Sequence, residues 1–240
     1  MKTVPQAKPG NFLKAFLRRK LPPEATFLYQ SACQATRDFK IRCRAPKLFS
    51  RRLLEGRPIW LEIGSGSVKG QNGWTTVDVV PGADIQFNVC CPFPLPDACV
   101  DKFYSSHCLE HFHYPDIMRL LRECHRVLTP GGTFSICVPD ATIFIIGCSD
   151  TERMRKLLGG EDPPLMHSDY LSKYFAYHTA IDYLNYIAYM DTTHRHLFDE
   201  ANLHAIFRAA GFAEVKRRDF DPALDKEVLR YESLYAIATK

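Results

Sequence analysis

Nowhere in the 240 residues is there a run of eighteen apolar side chains, so no segment reads as a helix crossing a bilayer. The first stretch, "MKTVPQAKPGNFLKAFLRRKLPPE", has cations but neither the unbroken apolar run nor the small-residue cleavage site of a secretory signal. Nine cysteines are present, yet no C-x-x-C pair, which removes the redox dithiol and the common zinc-finger spacings. Together these absences predict an intracellular, cytoplasmic chain with reduced thiols in apolar surroundings. Internal repeats and low-complexity tracts are also missing. What remains, 46% hydrophobic and 24% charged residues, is the composition of a globular protein with a sizeable core.

Charge is unevenly placed. Residues 1–55 hold 13 Lys and Arg against 3 Asp and Glu, a surplus of 10, while residues 56–240 hold 18 against 24, a deficit of 6. A basic arm (1–55) thus precedes an acidic body (56–240). In the arm, Phe12, Leu13 and Phe16 fall at helical spacing among cations, which suits either contact with an anionic surface, including peripheral membrane attachment, or a solvated helix packed on the body.

From residue 58 onward, β-like runs alternate with helical periodicity. "PIWLEI" (58–63), "TTVDVV" (75–80), "ADIQFNV" (83–89), "CVDKFYSS" (99–106) and "TFSICVP" (133–139) read as strands. From Pro115, the residues Ile117, Leu120, Leu121, Cys124, Val127 and Leu128 recur at three and four, predicting an amphipathic helix that "TPGG" ends. Further on, "FDEANLHAIFRAAGF" offers Asp199 as a cap and Gly211 as a stop, and "AEVKRRDF" and "YESLYAIAT" close the chain as strands. Strands and helices in alternation imply a parallel sheet wrapped in helices. Residues 141–197, rich in tyrosine, read as a helical insertion capping a substrate site.

"LEIGSG" places Glu62 at the end of a buried strand, then Gly64 and Gly66 in the following turn, where glycine lets the backbone approach a ligand closely. Lys69 stands where a dinucleotide fingerprint requires glycine, so a nicotinamide or flavin loses ground. Asp78, ending the second strand, is placed to hold two ribose hydroxyls.

The succession "LEIGSG", "TVDVV", "FPLPDACVDKFYSSHCLEHF", "RECHRVLTPGGTFSICVPD" and "LFDEANLHAIFRAAGF" resembles the class I S-adenosylmethionine-dependent methyltransferases, and is most similar to their methyltransferase type 11 branch, over roughly 58–240. The resemblance implies a Rossmann-like α/β fold: a seven-stranded sheet, mostly parallel with its last strand antiparallel, flanked by helices in a single domain. It implies S-adenosyl-L-methionine as cofactor, with Glu62 near the methionine amino group and Gly64, Ser65 and Gly66 beneath the methionine and ribose. Asp78 would hold the ribose, Asn88 and Val89 would lie beside adenine, and Ser106 would end the fourth strand next to the methyl. Two features depart from the family. Val68 replaces a frequent glycine, and only residues 64–74 join the first two strands, too few for an ordinary crossover helix. The short link is similar to that of sugar- and cell-surface-associated members.

"HCLEH" spells H-x-x-E-H, the ligand pattern of inverted zinc peptidases, but the residues before it read as strand rather than helix, so no metal is expected there. In a methyltransferase the same letters lie beside the transferable methyl. His107 is then the first candidate general base and His111 the second, with Asp140 orienting a base or binding substrate. Glu110 and His111 equally suit bracing the helix start. His194 and His196 precede the capped helix and are candidates to fold over the acceptor, and Tyr174 to line it. The implied activity is O-methylation of a small molecule or of a glycan sugar. RNA or protein methylation guided by the arm, and a non-catalytic module of the same fold, are the alternatives; the acidic body lacks the aromatic and basic ladder expected for RNA.

Overall fold

A computed structural model describes residues 43–160, 179–190 and 192–240, with Thr36 and Ile41. The chain divides into two compact units, Met1–Arg44 and Ala45–Lys240. Most of the basic arm, including Phe12, Leu13 and Phe16, lies outside the described residues. The division comes before residue 55 because Ala45 and Phe49, on the helical residues 45–54 (α1), are buried in the main core of the second unit. The Phe49 ring meets Phe87 and Phe93 edge-on at 5.5 and 6.0 Å.

Seven strands form one sheet: β1 (Trp60–Ile63), β2 (Trp74–Asp78), β3 (Ile85–Gln86), β4 (Val100–Ser106), β5 (Leu128–Pro139), β6 (Glu214–Arg217) and β7 (Ser233–Thr239). Their order is β3-β2-β1-β4-β5-β7-β6, parallel through β5, with β7 antiparallel to both β5 and β6. This is the expected mostly parallel sheet with its last strand reversed. Strand order turns back on itself at β1, whose neighbours β2 and β4 are reached in opposite directions. Such a switch point leaves a crevice at the carboxyl ends of the strands, where ligands of open α/β sheets bind.

The helices follow from apolar spacing. In α2 (Tyr114–Val127), Ile117, Leu120, Leu121, Cys124 and Val127 are buried and Pro115 sits in the first turn, as the periodicity predicts. Helices α3 (Ala141–Gly147), α4 (Thr151–Leu157) and α5 (Ala180–Tyr189) build a second, smaller core around Phe144, Met154, Tyr186 and Ile187, within the expected 141–197 insertion. There Tyr183 and Tyr186 are buried and Tyr189 is exposed, whereas Tyr170, Tyr174, Phe175 and Tyr177 lie outside the described residues. Helix α6 (Glu200–Ala209) is capped by Asp199, which accepts from the Asn202 N–H at 2.6 Å, and buries Leu203, Ile206 and Phe207 on the sheet.

Several boundaries differ from the sequence expectation. The third strand is two residues rather than 83–89, because Asn88 opens a turn by accepting from the Cys90 and Cys91 N–H groups. The second ends at Asp78 because its carboxylate takes the Val80 N–H at 3.0 Å and bends the chain. "TPGG" does not separate helix from strand. β5 already begins at Leu128, and Gly131 and Gly132 pair with Lys240. The eight described cysteines are all free, but Cys43 and Cys148 are exposed rather than apolar in setting.

No helix forms between β1 and β2. Residues 64–73 are turns and loop, held instead by Asp84, whose Oδ2 accepts from the Gly70 N–H (2.8 Å), the Thr76 N–H (3.1 Å) and the Thr76 hydroxyl (3.1 Å). Lys69 lies 3.4 Å from the other carboxylate oxygen. Val68, 50% exposed, presents its carbonyl to the Thr76 hydroxyl at 2.9 Å, so the position needs no glycine.

Candidate functional site

At the carboxyl end of β1 the chain turns sharply. Gly64 has φ +74° and Gly66 φ +68°, values open to glycine at little cost. A side chain on Gly64 would collide with Cys108, its Cβ falling 2.2 Å from Sγ, so the β1 and β4 turns pack without a gap. A side chain on Gly66 would meet nothing within 4 Å, which leaves the backbone there open to a ligand. Ser65 is buried and its hydroxyl turns to the Gly66 carbonyl.

Asp78 faces this turn. Its Oδ2 accepts from the Gly66 N–H at 2.8 Å and its Oδ1 from the Val80 N–H at 3.0 Å. A carboxylate has about four lone-pair directions, so two remain for hydroxyls of a ligand. Glu62 is half-buried and its carboxylate has no hydrogen-bond partner among the described residues; burial raises its carboxyl above the ordinary range, with Lys226 opposing. Asn88 is exposed, with its oxygen on the Cys90 N–H and its amide hydrogens free. Val89 is buried in the main core, so only its backbone can border a ligand. Ser106 is buried at the end of β4 with its hydroxyl unpaired.

Beyond Ser106 the chain enters a left-handed conformation at His107, φ +47°, then a short 3-10 turn over Leu109–His111. Nothing here stacks His107 and His111 on one helical face. His107 Nε2 lies 2.8 Å from the Ser233 hydroxyl, whose own hydrogen goes to the Leu229 carbonyl at 2.6 Å. Nε2 therefore donates, and Nδ1 carries a lone pair directed toward Glu110 Oε1, 3.8 Å away. Burial, with the charges of His194, Lys226 and His111, pushes the His107 pKa down to about 3 and keeps the ring neutral.

Glu110 is 2% exposed, and neither carboxylate oxygen has a hydrogen-bond partner from another described residue. Burial, opposed by its own backbone N–H and helped by Glu232, pushes its pKa up to about 8. The Glu110 carbonyl accepts from the N–H groups of Arg195 (2.7 Å) and His196 (3.2 Å), which ties the β4 turn to the segment before α6. His194 thereby arrives beside His111, their rings 5.1 Å apart. His111 Nδ1 lies 3.1 Å from the Thr193 carbonyl and His194 Nδ1 2.7 Å from the Ile187 carbonyl. Sequence reasoning grouped His194 with His196, but His196 turns away to Asn202 and packs on Phe198.

Asp140 caps α3, accepting from the Thr142 N–H at 2.9 Å. It borders a cavity of about 590 Å³ that Thr142, Ile143, Arg153, Arg230 and Tyr235 also line. A second cavity of about 560 Å³, between Arg52, Arg57, Trp60 and Trp74, lies at the opposite, amino end of β1 and β2. Tyr174 is outside the described residues. Sequence reasoning missed Asp84, which braces the β1–β2 link. An aspartate immediately before a short strand, opposite a threonine, was the available signal.

Residues 61–136, covering β1 through most of β5, match the family model for the methyltransferase domain. The matched segment, 76 of the 240 residues, is similar to a methyltransferase domain. A protein of Mycolicibacterium smegmatis described as a "Probable S-adenosylmethionine-dependent methyltransferase" is 37% identical over 67 residues, 28% of this chain and 25% of that one. The chain thus spans about a quarter of the length of that relative. Among solved structures, a SAM-dependent methyltransferase from Archaeoglobus fulgidus is similar at 15% identity and TM-score 0.47, over 89% of this chain and 99% of that one. The 1,6-didemethyltoxoflavin-N1-methyltransferase of Burkholderia thailandensis is similar at 18% identity and TM-score 0.44, over 100% and 93%. S-adenosylmethionine is the cofactor of such methyltransferases, and the matched segment fits it at three points: open space over Gly66, spare acceptor capacity on Asp78, and a Glu62 carboxylate with no hydrogen-bond partner among the described residues. No helix of the described residues is long and apolar enough to cross a membrane.

Proposed function

We propose that the chain transfers a methyl group from S-adenosylmethionine to an oxygen of a small molecule or of a glycan sugar. The observation that carries this reading is the Asp78 carboxylate on the Gly66 N–H, set at the sheet's switch point within the matched segment 61–136. The cofactor, when bound, supplies an electrophilic methyl on a sulfonium. The protein's residues would mainly hold and align. Asp78 would accept from the ribose hydroxyls and Glu62 from the methionine ammonium. The backbone of Gly64, Ser65 and Gly66 would pass beneath, Asn88 would offer its amide to the adenine, Val89 its backbone, and Ser106 would face the methyl.

A hydroxyl acceptor also gives up a proton as the methyl arrives. Of the groups that the sequence offers, Asp140 is engaged as a helix cap and His107 is a part-buried neutral ring fixed by Ser233. His111, with its side chain 37% exposed and Nε2 free of hydrogen bonds, would act as base, and His107 as the wall that positions it.

Calorimetric titration with S-adenosylhomocysteine tests the reading first. Saturable one-site binding, followed by methyl transfer to a sugar or small hydroxyl acceptor in a screen with labelled cofactor, is the expected result. Absence of binding by folded protein overturns it.

A further inference from the structure

Around Glu110 the hydrogen-bond inventory does not close. A backbone carbonyl only accepts, so the Thr193 and Ile187 carbonyls require a hydrogen on Nδ1 of His111 and of His194. Each neutral ring then carries a bare lone pair on Nε2. These two nitrogens and a Glu110 oxygen lie within 4.8 Å of one another, with His111 Nε2 3.8 Å from Glu110 Oε1. His107 Nδ1 brings a further lone pair to 3.8 Å from the same oxygen. The Glu110 carboxylate, 2% exposed, has no hydrogen-bond partner from another described residue, and His194 is 7% exposed. Acceptors thus converge at one buried point, and no donor among the described residues answers them.

We propose that Glu110, His111 and His194 bind one divalent transition-metal ion of the zinc class. Two imidazoles and one carboxylate form a donor set that zinc and its neighbours favour over magnesium or calcium, which prefer oxygen ligands throughout. Both rings already have the outer hydrogen bond typical of metal-binding histidines, Nδ1–H to a backbone carbonyl, which orients Nε2 toward the ion. The frame is preorganised: the Arg195 and His196 N–H groups on the Glu110 carbonyl hold the two segments together before any ion arrives. Tetrahedral ligand atoms at about 2.0–2.2 Å from zinc stand roughly 3.3 Å apart. The 3.8 Å pair must therefore contract by about 0.5 Å and the widest pair by up to about 1.5 Å, part of which the partly exposed His111 side chain can supply. Three protein ligands leave one position for water or an acceptor oxygen, which distinguishes the site from a closed structural one.

This is not the H-x-x-E-H pattern, in which His107 and His111 would be the paired ligands. The third ligand comes from the segment before α6. The base role of His111 belongs to the ion-free protein; with the ion bound it is a ligand, and the binding test does not depend on methyl transfer.

The test uses the full chain without a polyhistidine tag, stripped with a chelator and titrated with Co²⁺, read by visible d–d absorption and by displacement with Zn²⁺. One Co²⁺ per chain with the intense bands of four- or five-coordination is expected. Glu110→Gln and His194→Ala should each weaken binding by at least about 100-fold, and His196→Ala should leave it unchanged. If His194→Ala does not fold, His111→Ala replaces it. No binding, a weak six-coordinate spectrum, or affinity that survives Glu110→Gln together with the histidine variant overturns the proposal. Cobalt binding with the expected variant pattern, in protein that binds no S-adenosylhomocysteine, supports the metal site while overturning the methyl-transfer reading.

Discussion

The turn after β1 and the turn after β4 occupy the same edge of the sheet and touch at Gly64 and Cys108, yet they are built on opposite plans. The first is polar and closed: every described carboxylate oxygen on Asp78 and the bracing oxygen of Asp84 has an N–H to accept. The second is buried and open: Glu110 has no donor from another described residue, and the N–H groups of the three imidazoles around it are taken by the Ser233 hydroxyl and by two carbonyls. A satisfied carboxylate rigidifies a loop that lacks its helix, whereas an unsatisfied one in low dielectric holds free energy that only a cation or a proton releases. The contrast separates positioning from chemistry along one edge.

The largest effect that would sharpen this contrast is on cofactor affinity. Asp78→Ala should weaken S-adenosylhomocysteine binding by about 100-fold, since two charge-assisted hydrogen bonds are lost. Calorimetry reading an unchanged dissociation constant would remove the ribose role. Next comes the contact between the two turns. Gly64→Ala, at positive φ and against Cys108, should lower the free energy of unfolding by about 2–3 kcal/mol in a denaturant titration. Cys108→Gly in the same chain should recover part of that loss, and no recovery would mean that backbone strain alone is responsible.

Asp84→Ala should cost about 2 kcal/mol at pH 7, because the β1–β2 link loses its brace. Burial alone would raise the Asp84 carboxyl, but the N–H groups of Thr76 and Gly70, the Thr76 hydroxyl and Lys69 hold it below its ordinary value of 3.8. A depressed folded pKa stabilises above the unfolded value and is lost as pH falls through the folded one. The difference between wild type and variant should therefore narrow below about pH 3.8, and a gap independent of pH would point to packing instead. The smallest effect is expected at His107. His107→Ala should reduce turnover by less than about 10-fold, where a general base contributes about 100-fold or more. A larger loss, confined to kcat and changing the pH profile, would return the base role from His111 to His107.

Much of the first turn was legible in "LEIGSG" and "TVDVV", because its parts are local: glycine's access to positive φ, an acid at a strand end, and the parallel register that sets Glu62 beside Thr76. The sheet followed from the short β-like runs, and the helices from spacing at three and four. The strand ends were less legible. Asn88 and Asp78 stop strands through hydrogen bonds to their own following N–H groups, a choice that β-propensity does not encode. Asp84 was overlooked because its partners are on another strand. His196 seemed equivalent to His194 by letter, and Arg195 separates two rings that face different neighbours.

By itself the sequence determined the order of strands and helices, the glycine turn and its acid, the short link, and the absence of a long apolar span. Only the tertiary structure decided that Glu110 is left without a donor, that His107 gives its Nε2 hydrogen to Ser233, and that His194 rather than His107 completes a cluster with His111. Propensity and periodicity act between near neighbours, whereas the burial of a carboxylate and the tautomer of a ring depend on groups that folding brings from remote parts of the chain.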